Sequence, residues 1–116
     1  MEQRDRRLFV QCPISIHGNQ GVNSGVLFNL SLGGGAIESG ATVQCGTILT
    51  LRVHLSSLKK PIEVSQAEVT WTAGDDFGVQ FLQLGPQERE CLNRVIEDLL
   101  KSIQQRYAHQ AQARTC

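Results

Sequence analysis

The sequence has no net charge, few aromatic residues and no long apolar run, and each shortage excludes a class of protein. Its 11 Lys and Arg residues balance 11 Asp and Glu residues, which excludes a protein that holds nucleic acid by bulk positive charge. Aromatic residues form 5% of the chain and leave few stacking platforms for a flavin or an OB-type nucleic-acid site. No apolar run approaches the roughly 20 residues of a membrane-spanning helix, so we expect neither nucleic acid nor membrane as a partner.

The cysteines and the other candidate catalytic residues form no recognisable chemical site. Cys12, Cys45, Cys91 and Cys116 lie far apart and include no CxxC pair, so we predict no zinc or other metal cofactor. We interpret the first three as buried free thiols and the last as exposed. Ser31 lacks the GxSxG frame of a nucleophile, and the three histidines have no spacing typical of a base or a metal site. We therefore predict that the protein is not an enzyme.

The N-terminal residues 1–10 are polar and carry Arg4, Arg6 and Arg7. We interpret them as a flexible arm, and because they lack the apolar stretch of a signal peptide we expect a cytoplasmic protein. The planar guanidinium of arginine donates hydrogen bonds in pairs to phosphate and stacks on bases. A merely solvated basic arm would have the same composition, so the arm alone leaves both interpretations open.

Apolar and polar residues alternate in six short segments, which predicts six β-strands. Pro13 in the first segment indicates a strand edge or a bulge, because proline has no N–H to donate. In the fifth segment the apolar phase slips near Ser65 and Gln66, after which Ala67, Val69 and Trp71 share one face; such a slip is typical of a β-bulge. The predicted strands are 11–17, 22–29, 36–39, 47–55, 62–72 and 77–82.

The periodicity becomes helical after Pro86, which we place at the first helical position. One stripe carries Leu92, Val95, Ile96, Leu99, Leu100 and Ile103 and packs either on the strands or on a partner. The predicted fold is mainly β, a six-stranded antiparallel barrel followed by one long C-terminal helix. We assign residues 11–106 to this domain and 107–116 to a polar tail, and the pattern is compatible with a monomer or a dimer.

The most constrained segment is the turn from Asn29 to Gly35, with three consecutive glycines at its end. Glycines permit positive φ and allow another backbone or a ligand to approach closely. Asn29 and Ser31 can hydrogen-bond locally or project outward. A glycine-rich β-turn without any ligand would show the same pattern.

The arginine-rich arm, this turn and two later motifs together resemble the PilZ domain family. Residues 29–34 fit the pattern [DN]xSxxG, the fifth strand ends near Trp71, and the segment 78–81 reads Gly-Val-Gln-Phe before the helix. The resemblance covers roughly Arg4 to Leu100. It implies a six-stranded barrel that binds cyclic di-GMP, with an arm that wraps over the nucleotide and changes the surface presented to a protein partner in bacterial second-messenger signalling.

The resemblance also implies which residues would bind the nucleotide. Arg6 and Arg7 would contact phosphates and stack on guanine, while the turn residues Asn29, Ser31, Gly33 and Gly34 would line the other side. The family's arm motif is RxxxR, and here the second arginine is replaced by Gln11, which cannot supply the charge. Two functions follow: a cyclic di-GMP sensor and adaptor, or a degenerate PilZ domain that acts as a protein-binding adaptor in motility, pili or exopolysaccharide systems.

Overall fold

Six β-strands and one long helix make up the fold. This computed structural model describes residues 8–18, 21–55 and 58–115 and, in the final helix, side chains as far as Lys101. The elements in chain order are β1 (Leu8–Gly18), β2 (Gly21–Leu30), β3 (Gly34–Glu38), β4 (Ile48–Val53), β5 (Ile62–Ala73), β6 (Asp76–Gln83) and α1 (Pro86–Thr115).

The strands form a closed antiparallel barrel in the order β1-β2-β3-β6-β5-β4, which confirms the predicted architecture. Closure follows from β1, which pairs with β2 on one side and with β4 on the other. The barrel therefore leaves no strand edge unpaired around its circumference. Its interior is filled by large apolar side chains that are almost fully buried: Ile14, Ile16, Leu27, Leu30, Ile37, Leu51, Val64, Val69 and Phe77.

The alternation of apolar and polar residues predicted the inward face of most strands correctly. In β4, Leu49, Leu51 and Val53 are buried, whereas Arg52 between them is exposed. The bulge expected in β5 is confirmed, because Leu49 lies opposite Ala67 and Leu51 opposite Val64, so β5 has one extra residue. In β1 the register shifts between Phe9 and Cys12, just before Pro13.

The sequence placed Trp71 on the same face of β5 as Ala67 and Val69, and this prediction was wrong. Val69 lies opposite Val79 and Trp71 opposite Gly78, so Thr70 is an extra residue and forms a second bulge. This bulge reverses the phase once more and turns Trp71 to the outside of the barrel, where it is 42% exposed. Its indole lies against Gly78, since a Cβ on that glycine would collide with the ring.

Two of the three consecutive glycines, Gly34 and Gly35, are needed for close packing of strands and not for positive φ. Among the described residues, positive φ occurs at Gly21, Gly46 and Gly74 and not in the turn at 33–35. Instead, a Cβ on Gly35 would lie 2.6 Å from the carbonyl oxygen of Asn29, and one on Gly34 would collide with the backbone of Val79. These two glycines therefore allow close approach between neighbouring strands.

Helix α1 lies at the end of the barrel where β1 begins and β4 ends. Pro86 occupies the first helical position as predicted, and Arg89 N donates to Gly85 O at 2.8 Å. Leu92, Val95 and Ile96 are buried in the same apolar cluster as the barrel interior. The described part of the stripe, as far as Leu100, thus packs on the barrel, one of the two uses that the sequence allowed.

Several boundaries and exposures differ from the sequence-based expectation. β1 begins at Leu8, so residues 8–10 of the expected arm belong to a strand, and α1 continues through the expected tail to Thr115. Cys45 is exposed, whereas Cys12 is buried, and burial raises the pKa of the Cys12 thiol. Within the described ranges, no helix is long and apolar enough to cross a membrane.

Candidate functional site

One outward-facing row crosses five strands of the barrel beside the turn at 31–34. The antiparallel register places Phe9 opposite Asn29, Asn29 opposite Ala36, Ala36 opposite Gly78 and Gly78 opposite Trp71. These residues face outward because their strand neighbours, such as Leu8, Leu30, Ile37, Phe77 and Val79, belong to the buried core. We call this set the outer row.

The outer row forms a shallow surface with an aromatic side chain at each end. Phe9 is 87% exposed and Trp71 is 42% exposed. Between them lie only the short side chains of Asn29 and Ala36 and the bare backbone of Gly78. Ala36 and Gly78 are buried, and the Trp71 indole lies against Gly78. The faces that the row offers for stacking are therefore those of its two aromatic side chains.

Asn29 carries a polar atom whose hydrogen-bonding capacity is unused within the described residues. Its Oδ1 is buried and has no hydrogen-bond partner there, a property shared only with His17 Nε2 near the other end of β1. An unsatisfied buried acceptor costs about 1–3 kcal/mol. Such an atom in an outward-facing row indicates a position that a donor from outside the barrel would satisfy.

Ser31 holds the turn together through its backbone and its side chain. Its N donates to Gly34 O at 2.9 Å, and its Oγ donates to the same carbonyl at 3.3 Å. Phe81 N donates to Gly33 O at 2.9 Å and ties the turn to β6. Because Ser31 is only 6% exposed, the structure gives its hydroxyl a role in shaping the turn beside Asn29.

Replacing Ser31 by alanine should therefore weaken the fold even without any ligand. The lost hydroxyl removes one buried hydrogen bond, and we expect Ser31→Ala to lower the free energy of unfolding by about 0.5–1.5 kcal/mol in urea titrations. Ser65→Ala is the matched control, because Ser65 Oγ donates to Gln83 O at 3.2 Å in an exposed position. If both variants unfold at the same urea concentration as the wild type, the Ser31 hydroxyl has no structural role.

Gln11 lies beside the outer row and not in it. It is exposed within the β1 bulge and lines a groove between β1 and α1 that is formed by residues 9–13, His54, Leu55 and the α1 residues Val95, Asp98 and Leu99. We call this the β1–α1 groove. Gln11 thus shares the groove with Asp98. It also lies two residues after Phe9, which is a member of the outer row.

The structure brings four of the predicted site residues together at one turn. Asn29, Ser31, Gly33 and Gly34 all lie in or next to one turn. Arg6 and Arg7 lie outside the described residues. Leu8, which follows them, is opposite Leu30, so the arm joins the barrel one residue away from Ser31.

The charge needed to bind an anion is missing from the outer row itself. Its five members, Phe9, Asn29, Ala36, Gly78 and Trp71, are all uncharged. Across the part of the chain that the structure describes, no group of three or more His, Cys, Asp or Glu side chains could hold a metal ion. A phosphate at the row would thus depend on cations from elsewhere in the chain.

Barrel, turn and outer row together define a small β-barrel domain with a candidate ligand surface on its outside. The model of the PilZ domain family matches residues 2–98. The chain belongs to the PilZ domain family, as the turn and the Gly-Val-Gln-Phe segment indicated. A comparison with proteins of curated function found no match.

Solved structures share this fold at low sequence identity. YcgR from Escherichia coli, in complex with c-di-GMP, aligns with a TM-score of 0.76 at 18% identity over 91% of this chain and 49% of its own. The Bacillus subtilis inhibitor of motility MotI/DgrA aligns with a TM-score of 0.71 at 16% identity, over 87% of this chain and 53% of its own. The PilZ domain of CeSA from a cellulose-synthesizing bacterium aligns with a TM-score of 0.63 at 18% identity, over 81% of this chain and 97% of its own. The chain spans about half the length of YcgR and MotI/DgrA.

Proposed function

We propose that this domain binds cyclic di-GMP on the outer row and passes the signal to a protein partner in the bacterial cytoplasm. The observation that carries the proposal is the buried Oδ1 of Asn29, next to Phe9 in the row, which has no hydrogen-bond partner among the described residues. A guanine base presents N–H donors on its edge, and such a donor would remove the penalty of that acceptor. YcgR, which shares the fold, was solved with c-di-GMP.

The aromatic ends of the row support a ligand with flat bases. Stacking of a base on an aromatic side chain contributes about 1–3 kcal/mol. Phe9 and Trp71 are exposed at opposite ends of the row, and the missing side chain of Gly78 leaves room for the Trp71 indole to lie against it. The row thus offers stacking and one acceptor, while its lack of cations leaves the phosphates to be met by another segment.

The arm is the segment that can supply the missing charge. Arg6 and Arg7 immediately precede Leu8, which lies opposite Leu30 beside the turn. Guanidinium groups bind phosphate oxygens in pairs, so we propose that these two side chains close over the nucleotide. The arm would then change the surface that a partner protein encounters.

One observation favours the second candidate function, an adaptor that binds no nucleotide. Gln11 stands where the family motif has its second arginine, and it shares the β1–α1 groove with the carboxylate of Asp98. An uncharged residue beside a carboxylate weakens the attraction for phosphate. PilZ domains are binding and adaptor domains. Both candidate functions therefore involve a protein partner, and neither involves catalysis.

Isothermal titration calorimetry with cyclic di-GMP separates the two candidates. We expect saturable binding by the wild type, weakened at least about tenfold in Arg7→Ala because one bidentate phosphate contact is lost. Lys59→Ala is the matched control, since Lys59 is an exposed cation in the loop before β5. The absence of heat at high micromolar nucleotide, with a folded protein, would assign the domain to the adaptors that bind no nucleotide.

A further inference from the structure

Three neighbouring strands of the barrel contain no acidic residue. Strands β4, β1 and β2 are adjacent in the barrel order, and none of the three includes an aspartate or a glutamate. Between Asp5 and Glu63 the only acidic residue of the sequence is Glu38. The acidic residues that balance the charge of the chain therefore lie elsewhere, and an anion that approaches these strands meets little repulsion from them.

Polar side chains project from the outer surface where β1 pairs with β4. Ser15 lies opposite Arg52, and His17 lies opposite Thr50. They face outward because the residues that alternate with them are buried: Ile14, Ile16, Leu51 and Val53. Opposite residues of an antiparallel pair have Cα atoms about 4.5–5.5 Å apart, and alternate residues of one strand are about 6.6 Å apart. Ser15, His17 and Arg52 are therefore close enough to contact one small ligand.

His17 has a ring nitrogen without a partner. Its Nε2 is buried and forms no hydrogen bond within the described ranges. The opposite residue cannot donate to it, because the Thr50 hydroxyl already donates to Ser65 O at 3.1 Å. Buried polar atoms are normally hydrogen-bonded, so an exception indicates a missing partner. An imidazole has at least one N–H donor, and an anion beside Ser15 and Arg52 would supply its acceptor.

Ser15 and Arg52 also have donors to offer. Ser15 Oγ lies 3.3 Å from His54 Nε2, and when the histidine donates there, the serine hydroxyl can donate to a ligand. The contact of Arg52 with Glu63 is loose, since Nε lies 3.6 Å from Oε1 and both side chains are 49% exposed. That distance is too long for a hydrogen bond, and exposed ion pairs are weak. The guanidinium can therefore turn towards another oxyanion.

We propose that Ser15, His17 and Arg52 form an anion site that binds a phosphate group and is separate from the outer row. The tetrahedral oxygens of phosphate allow the guanidinium, the hydroxyl and the imidazole to contact different atoms. The two oxygens of a carboxylate would both be used by the arginine alone. Phe9 of the outer row lies six residues before Ser15 on the same strand, or about 20 Å away.

An NMR titration of the full chain with inorganic phosphate, without nucleotide and at constant pH and ionic strength, tests the site. We expect saturable shifts of the ring nitrogens of His17 and of the Ser15 and Arg52 amides. Arg52→Gln should raise the Kd of phosphate about tenfold, because the bidentate contact is lost. Glu63→Gln should lower the Kd, because it removes the carboxylate that competes for the guanidinium. Arg89→Gln is the matched control, since Arg89 is an exposed cation at the start of α1.

A second titration identifies the source of the phosphate. Inorganic phosphate and a phosphorylated side chain of a protein partner present the same group, and O-phosphoserine represents the latter. Tighter binding of O-phosphoserine than of inorganic phosphate supports the site as a reader of phosphorylated side chains. Equal or weaker binding of O-phosphoserine supports the same site with free phosphate as its ligand.

Three results would overturn the proposal. One is the absence of shifts at His17 throughout the millimolar range of phosphate. Another is a set of shifts confined to Asn29 and residues 33–35, which would place the anion in the proposed nucleotide site. The third is an Arg52→Gln variant, folded by circular dichroism, that binds phosphate as tightly as the wild type. Because these titrations contain no nucleotide, their failure leaves the cyclic di-GMP proposal intact.

Discussion

Gln11→Arg should tighten the binding of cyclic di-GMP about tenfold or more. The substitution restores the second arginine of the family's arm motif and adds a charge-assisted contact to phosphate or guanine. Gln11 is exposed in the β1 bulge, so the longer side chain disturbs no core packing. Calorimetry at two ionic strengths measures the effect, and the variant should show the steeper salt dependence because one more cation meets the phosphates.

A nearby carboxylate competes with the nucleotide for an arginine at position 11, and the experiment needs a control for it. Asp98 lines the same groove as Gln11, and an arginine introduced at position 11 could pair with that carboxylate instead of the nucleotide. The double variant Gln11→Arg with Asp98→Asn removes the competitor, and a thermodynamic cycle over the four proteins isolates the coupling. Affinity that is unchanged in both arginine variants would show that position 11 is remote from the bound nucleotide.

Asn29→Leu should have opposite effects on stability and on binding. Leucine removes a buried acceptor without a partner among the described residues, so the free energy of unfolding should rise by about 1 kcal/mol. The same change removes the acceptor proposed for guanine, and cyclic di-GMP should bind at least about tenfold more weakly. Urea titration and calorimetry on one preparation measure both quantities.

Two further variants make the result at Asn29 specific. Asn29→Asp keeps an oxygen acceptor and also fits the [DN]xSxxG pattern, so it should bind more tightly than the leucine variant. Asn23→Leu changes an exposed asparagine near the start of the same strand and should leave affinity unchanged. If Asn29→Leu binds cyclic di-GMP like the wild type, Asn29 is not part of the site.

The strands were predictable because the inward face of each depends on the alternation of apolar and polar residues that are close in sequence. An apolar residue at every second position of β4 fixes which side chains enter the barrel. The bulge at Ser65 and Gln66 was visible as a slip in that alternation. The second bulge, at Thr70, was not visible, because apolar Ala67, Val69 and Trp71 continue the alternation across it. The exposure of Trp71 therefore emerged only from the pairing of β5 with β6.

The site was predictable only where one turn contains it. Asn29, Ser31 and Gly34 lie within six residues of sequence, whereas Phe9, Ala36 and Gly78 meet Asn29 or one another through the register of four strands. Register depends on bulges, which single-sequence patterns show incompletely. The sequence also favoured positive φ for the triple glycine, while the decisive constraint is the approach of Asn29 and Val79 to their backbones.

The amide chemical shifts of the protein, followed as cyclic di-GMP is added, show most directly where the nucleotide binds. Binding on the outer row predicts shifts at Asn29, at Gly33 to Gly35, at Gly78 and at the indole N–H of Trp71. The rival location is the cleft of about 470 Å³ beside the β1–β2 hairpin, lined by Asn23 and by Gly40 to Gln44. Shifts confined to that cleft, or none at saturating nucleotide, would contradict binding on the outer row.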